Sequence, residues 1–197
     1  MSLRSDANRW GGLAQIFHWL MAVLILGAGI AGLFMSGMPN SPQKINVYAL
    51  HKSIGLSVLA LALLRLAWRL ADGRPNDVPM PRWQKLVAHA VHGLLYLLML
   101  ALPLSGWLYN SAAGFPLQWF RIVQLPSLTG GADPALKAFA HEAHETLFWL
   151  LVALLALHVG GALKHQLIDR DGLLARMLPA RRGVRPADPV VPTLRKE

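Results

Sequence analysis

From Leu13 to Phe34 the chain runs for 22 residues without a formal charge. At 1.5 Å per residue that is enough helix to cross a hydrocarbon layer of roughly 30 Å. Three further apolar stretches follow, giving predicted spans of about 13–35, 45–70, 86–109 and 139–165 within 197 residues. In hydrocarbon a span must satisfy its own backbone, so each stretch is expected to be a helix. The ionisable residues near their ends, Lys52, Arg65 and Arg69 in the second and Glu142 and Glu145 in the fourth, leave the pattern intact, since long cationic side chains can reach an interface. The first stretch is too long for the apolar core of a cleaved leader and carries His18 and Trp19, so it reads as a retained helix. The expected fold is all-α, an integral membrane four-helix bundle forming one domain over 1–179, followed by a basic, proline-rich tail at 180–197 expected to be disordered.

The net charge of +9 would suit a nucleic-acid binder if it were clustered. Instead, fifteen of the 19 Lys and Arg fall at the two termini and the second connection, and four (Lys44, Lys52, Arg121, Lys137) on the other side. By the positive-inside rule both termini are cytoplasmic, and anionic lipid is a further partner for the tail. No aromatic residues interleave with the basic tail, so no nucleic acid is expected as a partner. The longest connection, Asn110 to Ala138, contains Phe115 to Val123, which reads as an interfacial amphipathic segment.

Eight histidines in such a chain need an account, because ionisable groups inside spans mark function by default. A lone one is adequately explained by an interhelical hydrogen bond; the set is not. His18 lies in the inner half of the first helix and His51 in the outer half of the second. The fourth helix runs inward, placing His144 in its outer half and His158 in its inner half. These last two are 14 residues apart, about 21 Å along the axis and four turns less roughly 40°, and so share a face at two depths. His141 is about 100° off that face. One helix can thus supply an axial ligand to each of two stacked haems, with the pairs His51/His144 and His18/His158. The chain has no cysteine, which excludes covalent attachment and thiolate sites and leaves two b-type haems. His141-Glu142-Ala143-His144 is one residue short of the zinc-protease HExxH, and the glutamates are too few for a carboxylate di-metal bundle.

Arg65 is also 14 residues from His51 and lies on the same face one layer deeper, where a haem propionate would suit its guanidinium; snorkelling to the interface is the alternative. Lys52, beside His51, reads as an interfacial lysine or as a contact for a propionate or an anionic substrate. At the inner boundary His165, His89, His92, Trp83 and Lys85 gather near the ends of the spans. His165 is about 20° off the face of His158.

Certain stretches resemble the bacterial cytochrome b561 family of di-haem membrane cytochromes, which includes superoxide oxidase. They are Ile16-Phe17-His18-Trp19, Leu50-His51-Lys52-Ser53-Ile54-Gly55, Leu64-Arg65-Leu66-Ala67-Trp68-Arg69, Ala88-His89-Ala90-Val91-His92-Gly93, His144-Glu145-Thr146-Leu147, Leu157-His158 and Asp171 to Pro179. The resemblance covers about residues 10 to 180. It implies haem ligation by His18, His51, His144 and His158 in the bacterial inner membrane. It also implies oxidation of superoxide on the periplasmic side, with Lys52, Arg121 and Lys137 supplying positive charge there, and reduction of ubiquinone near the cytoplasm. There His165, first of the set, and His89, His92, Trp83 and Lys85 are the candidates for a quinone site, which needs proton donors and an apolar slot. The alternative is an electron-transfer subunit serving a periplasmic redox partner such as a dehydrogenase or hydrogenase, docked on Phe115, Trp119 and Phe120. A haem-free scaffold or transporter is the non-redox alternative.

Overall fold

The computed structural model describes residues 2–179, so the tail at 180–197 lies outside the described residues. Four helices are long and apolar enough to cross a membrane: α1 (Gly12–Gly37), α2 (Pro42–Ala71), α3 (Arg82–Ala112) and α4 (Pro134–Lys164). Each starts one to five residues ahead of its apolar stretch, and the caps of α2 and α4 show why. Ser41 Oγ accepts the Lys44 N–H at 3.2 Å and Pro42 takes the first turn of α2. Asp133 does the same for the Leu136 N–H at 3.0 Å, ahead of Pro134 in α4. A side-chain oxygen at the cap and a proline just inside it are what a helix N-terminus favours. Beyond Lys164 the chain winds on as a wider π turn, His165–Asp169, and a short 3-10 turn follows at Leu174–Met177.

The result is an integral membrane four-helix bundle. Its interior is divided into two apolar clusters. Met21, Val58, Ala62 and Met99 form one, and Val91, Leu98, Leu151 and Leu154 the other. Val58 is seven residues from both His51 and Arg65, and Leu151 is seven from both His144 and His158, so packed hydrocarbon separates the two histidine levels. The outward faces carry Ile16, Val23, Leu26, Ile30 and Phe34 of α1 and their counterparts on the other helices, all exposed, as a lipid-facing surface requires.

The two ends of the bundle differ. At the end holding residues 2–11 and 174–179, the terminal end, three segments interlock. The Trp10 N–H donates to Arg176 O (3.3 Å), Trp19 Nε1 to Met177 O (2.8 Å), the Asn76 N–H to Ala7 O (2.8 Å) and Arg176 Nη1 to Asn76 O (2.7 Å). At the opposite end the amphipathic segment folds as a two-stranded antiparallel hairpin, β1 (Leu117–Trp119) and β2 (Val123–Leu125), paired Leu117 to Leu125 and Trp119 to Val123. An interfacial helix is excluded because the chain reverses within four residues, with the Ile122 N–H donating to Trp119 O at 2.9 Å.

Candidate functional site

Four helices bring the histidines together in two groups. At the hairpin end the rings of His51 and His144 lie with centroids 6.1 Å apart, and at the terminal end those of His18 and His158 are also 6.1 Å apart. His92 joins the second group, 5.2 Å from His158. Two metal–imidazole bonds of about 2 Å to a shared ion would set ring centres about 6 Å apart, so each pair has the spacing of a bis-imidazole site.

Tautomers decide whether those rings can bind metal. His51 Nδ1–H donates to Ala28 O at 3.0 Å, and His144 Nδ1–H to Leu102 O at 3.1 Å, with Ser105 Oγ 3.0 Å away. An Nδ1–H held by a carbonyl leaves the Nε2 lone pair for an ion and fixes the ring plane. Small residues make room for both rings. A Cβ on Gly32 would stand 3.3 Å from His51 Cε1, and one on Gly106 would stand 3.1 Å from His144 Cε1. The donor set and this glycine cradle fit a b-type haem.

The terminal-end group is arranged differently. Arg65 turns into the bundle instead of snorkelling: its Nη2 is 3.4 Å from His18 Nδ1, and its guanidinium lies 5.3 Å over the Tyr96 ring. A guanidinium only donates, so it engages the Nδ1 lone pair of His18. Among the described residues no carboxylate pairs with Arg65, and the nearby Trp68 Nε1 is buried without a hydrogen-bond partner. Both groups line a cavity of about 20 Å³ shared with Trp10, Ala14, Arg69, Tyr96, Met177 and Asp72, whose carboxylate accepts from Ser5 and lies on the Trp68 side. A cation without an ion-pair partner beside His18 suits a cofactor carrying its own carboxylates.

The remaining sequence candidates scatter. Lys52 Nζ donates to Asn110 Oδ1 at 3.1 Å. Lys85 is ion-paired with Asp77, and Trp83 and His89 are exposed on the first turns of α3. His165 donates from Nδ1 to Asp171 Oδ2 at 2.5 Å and lies 3.3 Å from Asp169. Partial burial pushes the Asp171 carboxyl up, but hydrogen bonds from the Leu173 N–H and His165 outweigh it and hold the group below the ordinary carboxylate range. Of the five quinone candidates, only His92 meets the histidine pairs. On the other side of the bundle Tyr109, Lys137 and His141 line an open crevice of about 280 Å³, with the Tyr109 and His141 rings 5.3 Å apart.

Several positions escaped sequence reasoning. Trp68, Tyr96 and Asp171 fall in or beside stretches that carry the family resemblance, yet the sequence assigned them no role. Gly32 and Gly106 gave a faint one, since a glycine inside a helix is unfavourable by about 1 kcal/mol against alanine and usually has a packing reason.

Comparison with known proteins places these positions in context. Residues 9–180 match the family model described as prokaryotic cytochrome b561. The chain is 34% identical over 188 residues to Cytochrome b561 homolog 2 of Escherichia coli (strain K12), covering 90% of this chain and 95% of that protein. It is 30% identical to Cytochrome b561 homolog 1 of the same organism, over 89% of this chain and 99% of that protein. A protein of Yersinia pestis named "Probable superoxide oxidase CybB" is 30% identical over 84% of this chain and 93% of its own length.

Proposed function

The chain belongs to the prokaryotic cytochrome b561 family, and from that premise we propose that it oxidises superoxide at the hairpin end and reduces ubiquinone near the terminal end. The family makes it a multi-pass membrane protein of electron transfer that uses b-type haem. The single observation that carries the finer reading is the pair of histidine couples at two depths, each with ring centroids 6.1 Å apart. In this reading His51 and His144 hold one haem and His18 and His158 the other, within one domain spanning 1–179. Bound there, haem supplies one-electron oxidation and reduction. The overall reaction balances when two superoxide anions each lose one electron to become dioxygen and one ubiquinone gains two electrons and two protons.

The protein's own residues account for the rest. The excess of Lys and Arg at the terminal end supports a cytoplasmic position for it and a periplasmic one for the hairpin end. Lys52, Arg121 and Lys137 give the hairpin end its cations, which would draw a small anion and do so less as salt rises. The Ala28 and Leu102 carbonyls orient His51 and His144, and the apolar clusters keep water out between the levels. At the terminal end His165, oriented by Asp171, is the proton donor for quinone arriving from the lipid.

The test is a pulse of superoxide on the purified, haem-loaded protein. Fast haem reduction, slowed by salt, is the expected result; haem that ignores superoxide but is reduced by a co-purifying protein would replace this reading with that of a partner's electron-transfer subunit. Asp171→Asn is expected to slow ubiquinone reduction about tenfold while leaving haem reduction by superoxide unchanged, because it frees the imidazole without touching the other end. Stopped-flow traces of the two half-reactions separate these effects.

A further inference from the structure

The hairpin sits deeper than a water-exposed loop would. Gly32 packs against His51, and Arg65 reaches His18, so α1 and α2 run antiparallel in one continuous register. In that register Ser53 lies opposite Ile30 and Ser57 opposite Leu26, about 6 Å and about 12 Å inward of Phe34, the last exposed large apolar residue of α1. The hairpin tip is fastened to these two serines. The Phe120 N–H donates to Ser53 Oγ at 2.9 Å and Trp119 Nε1 to Ser57 Oγ at 3.0 Å. Each serine hydroxyl in turn donates one turn back along α2, to Ala49 O (2.8 Å) and Ser53 O (2.9 Å).

The tip is also unusual in composition. Phe120 (φ 48°) and Arg121 (φ 61°) occupy the two left-handed positions of a tight hairpin turn, where Asn-Gly is the ordinary choice. A tip in water would favour those small polar residues. This one instead leaves Ile122 82%, Val123 48% and Phe120 46% exposed, while Leu117, at the base of the hairpin, is buried. Arg121 turns back to Asn46 Oδ1 (2.6 Å), opposite Gly37 at the end of α1, which carries its charge out of the apolar zone.

We propose that the hairpin is a re-entrant element whose tip, Phe120, Ile122 and Val123, lies among the acyl chains of the adjacent leaflet. The occupant of this face is lipid, because at the same level Leu50 of α2 (49% exposed) and Ile30 of α1 (56% exposed) also turn apolar side chains outward. Backbone at such depth requires partners, and Ser53 supplies one to the turn. The tip flanks the His51 level from the membrane side, and a soluble protein is denied these side chains. The proposal goes beyond the superoxide and ubiquinone reading and does not depend on it.

The chain has no native cysteine, so single nitroxide labels can be attached cleanly. The full haem-loaded chain would be placed in phosphatidylcholine nanodiscs with a label at Ile122→Cys, Val23→Cys on the lipid face of α1, or Ser127→Cys past the hairpin. All three side chains are exposed, and an unchanged haem spectrum verifies each fold. At Ile122→Cys, collision with dioxygen relative to a water-soluble nickel chelate is expected to be severalfold higher than at Ser127→Cys and to approach that at Val23→Cys. An Ile122→Cys label as open to nickel as Ser127→Cys overturns the proposal, and makes the tip a water-facing surface available to a protein partner.

Discussion

Replacement of His144 by alanine is expected to remove one haem per chain and to leave the other with its spectrum intact. His144 is held by Leu102 O and packed on Gly106, at the level of His51 and well away from His18 and His158. Loss of that ring leaves His51 without its partner, while the packed cluster around Leu151 insulates the second pair. Haem content would fall by half, as read by pyridine haemochrome, and added imidazole would restore it by filling the vacated volume. His141→Ala, three residues away, is expected to leave both haems in place, because that ring faces Tyr109 and the crevice beside Lys137. Loss of both haems from His144→Ala, or of one from His141→Ala, would refute the proposed pairing.

Arg65→Leu is expected to act in opposite directions with and without the cofactor. In the protein without haem, Arg65 is a half-buried cation with no carboxylate partner, touching Met21, Tyr96 and His18. Leaving a charge in such a place is unfavourable by several kcal/mol, so an apolar side chain of similar bulk should raise the thermal midpoint of the haem-free protein. In the haem-loaded protein the same change removes the cation beside one iron. The oxidised form carries the greater positive charge and gains from that removal, so the reduction potential should fall by roughly 60 mV or more, a tenfold change for one electron. Redox titration and differential scanning of the two forms check both signs. A rise in stability in both forms with an unmoved potential would show that Arg65 faces no cofactor carboxylate.

The bundle was legible because bilayer thickness and backbone satisfaction leave a 22-residue uncharged stretch few alternatives to a spanning helix. The four histidines were legible for a related reason. Helical geometry converts a spacing of 14 residues into one face at two depths, and four antiparallel spans put His51 beside His144 and His18 beside His158. The quinone candidates fared differently. His165, His89, Trp83 and Lys85 share a level in the sequence pattern, yet level says nothing about azimuth across different helices: His165 pairs with Asp171, Lys85 with Asp77, and Trp83 and His89 lie exposed on the outside of α3. The segment at 115–123 has an amphipathic composition that fits a strand as readily as a helix, and its fold follows from Ser53 and Ser57, more than 60 residues away.

The amino-acid sequence by itself determined the number and order of the helices, the two-level placement of the histidines and the excess of positive charge at one end. These are matters of spacing along one chain, where a fixed rise and twist per residue leave little freedom. Only the tertiary structure decided which carbonyl each imidazole holds, that Arg65 points inward, and that the hairpin lies along α2. Those outcomes depend on side chains from separate helices meeting at about 3 Å, and a hydrogen bond at that range is set by packing rather than by position in the chain.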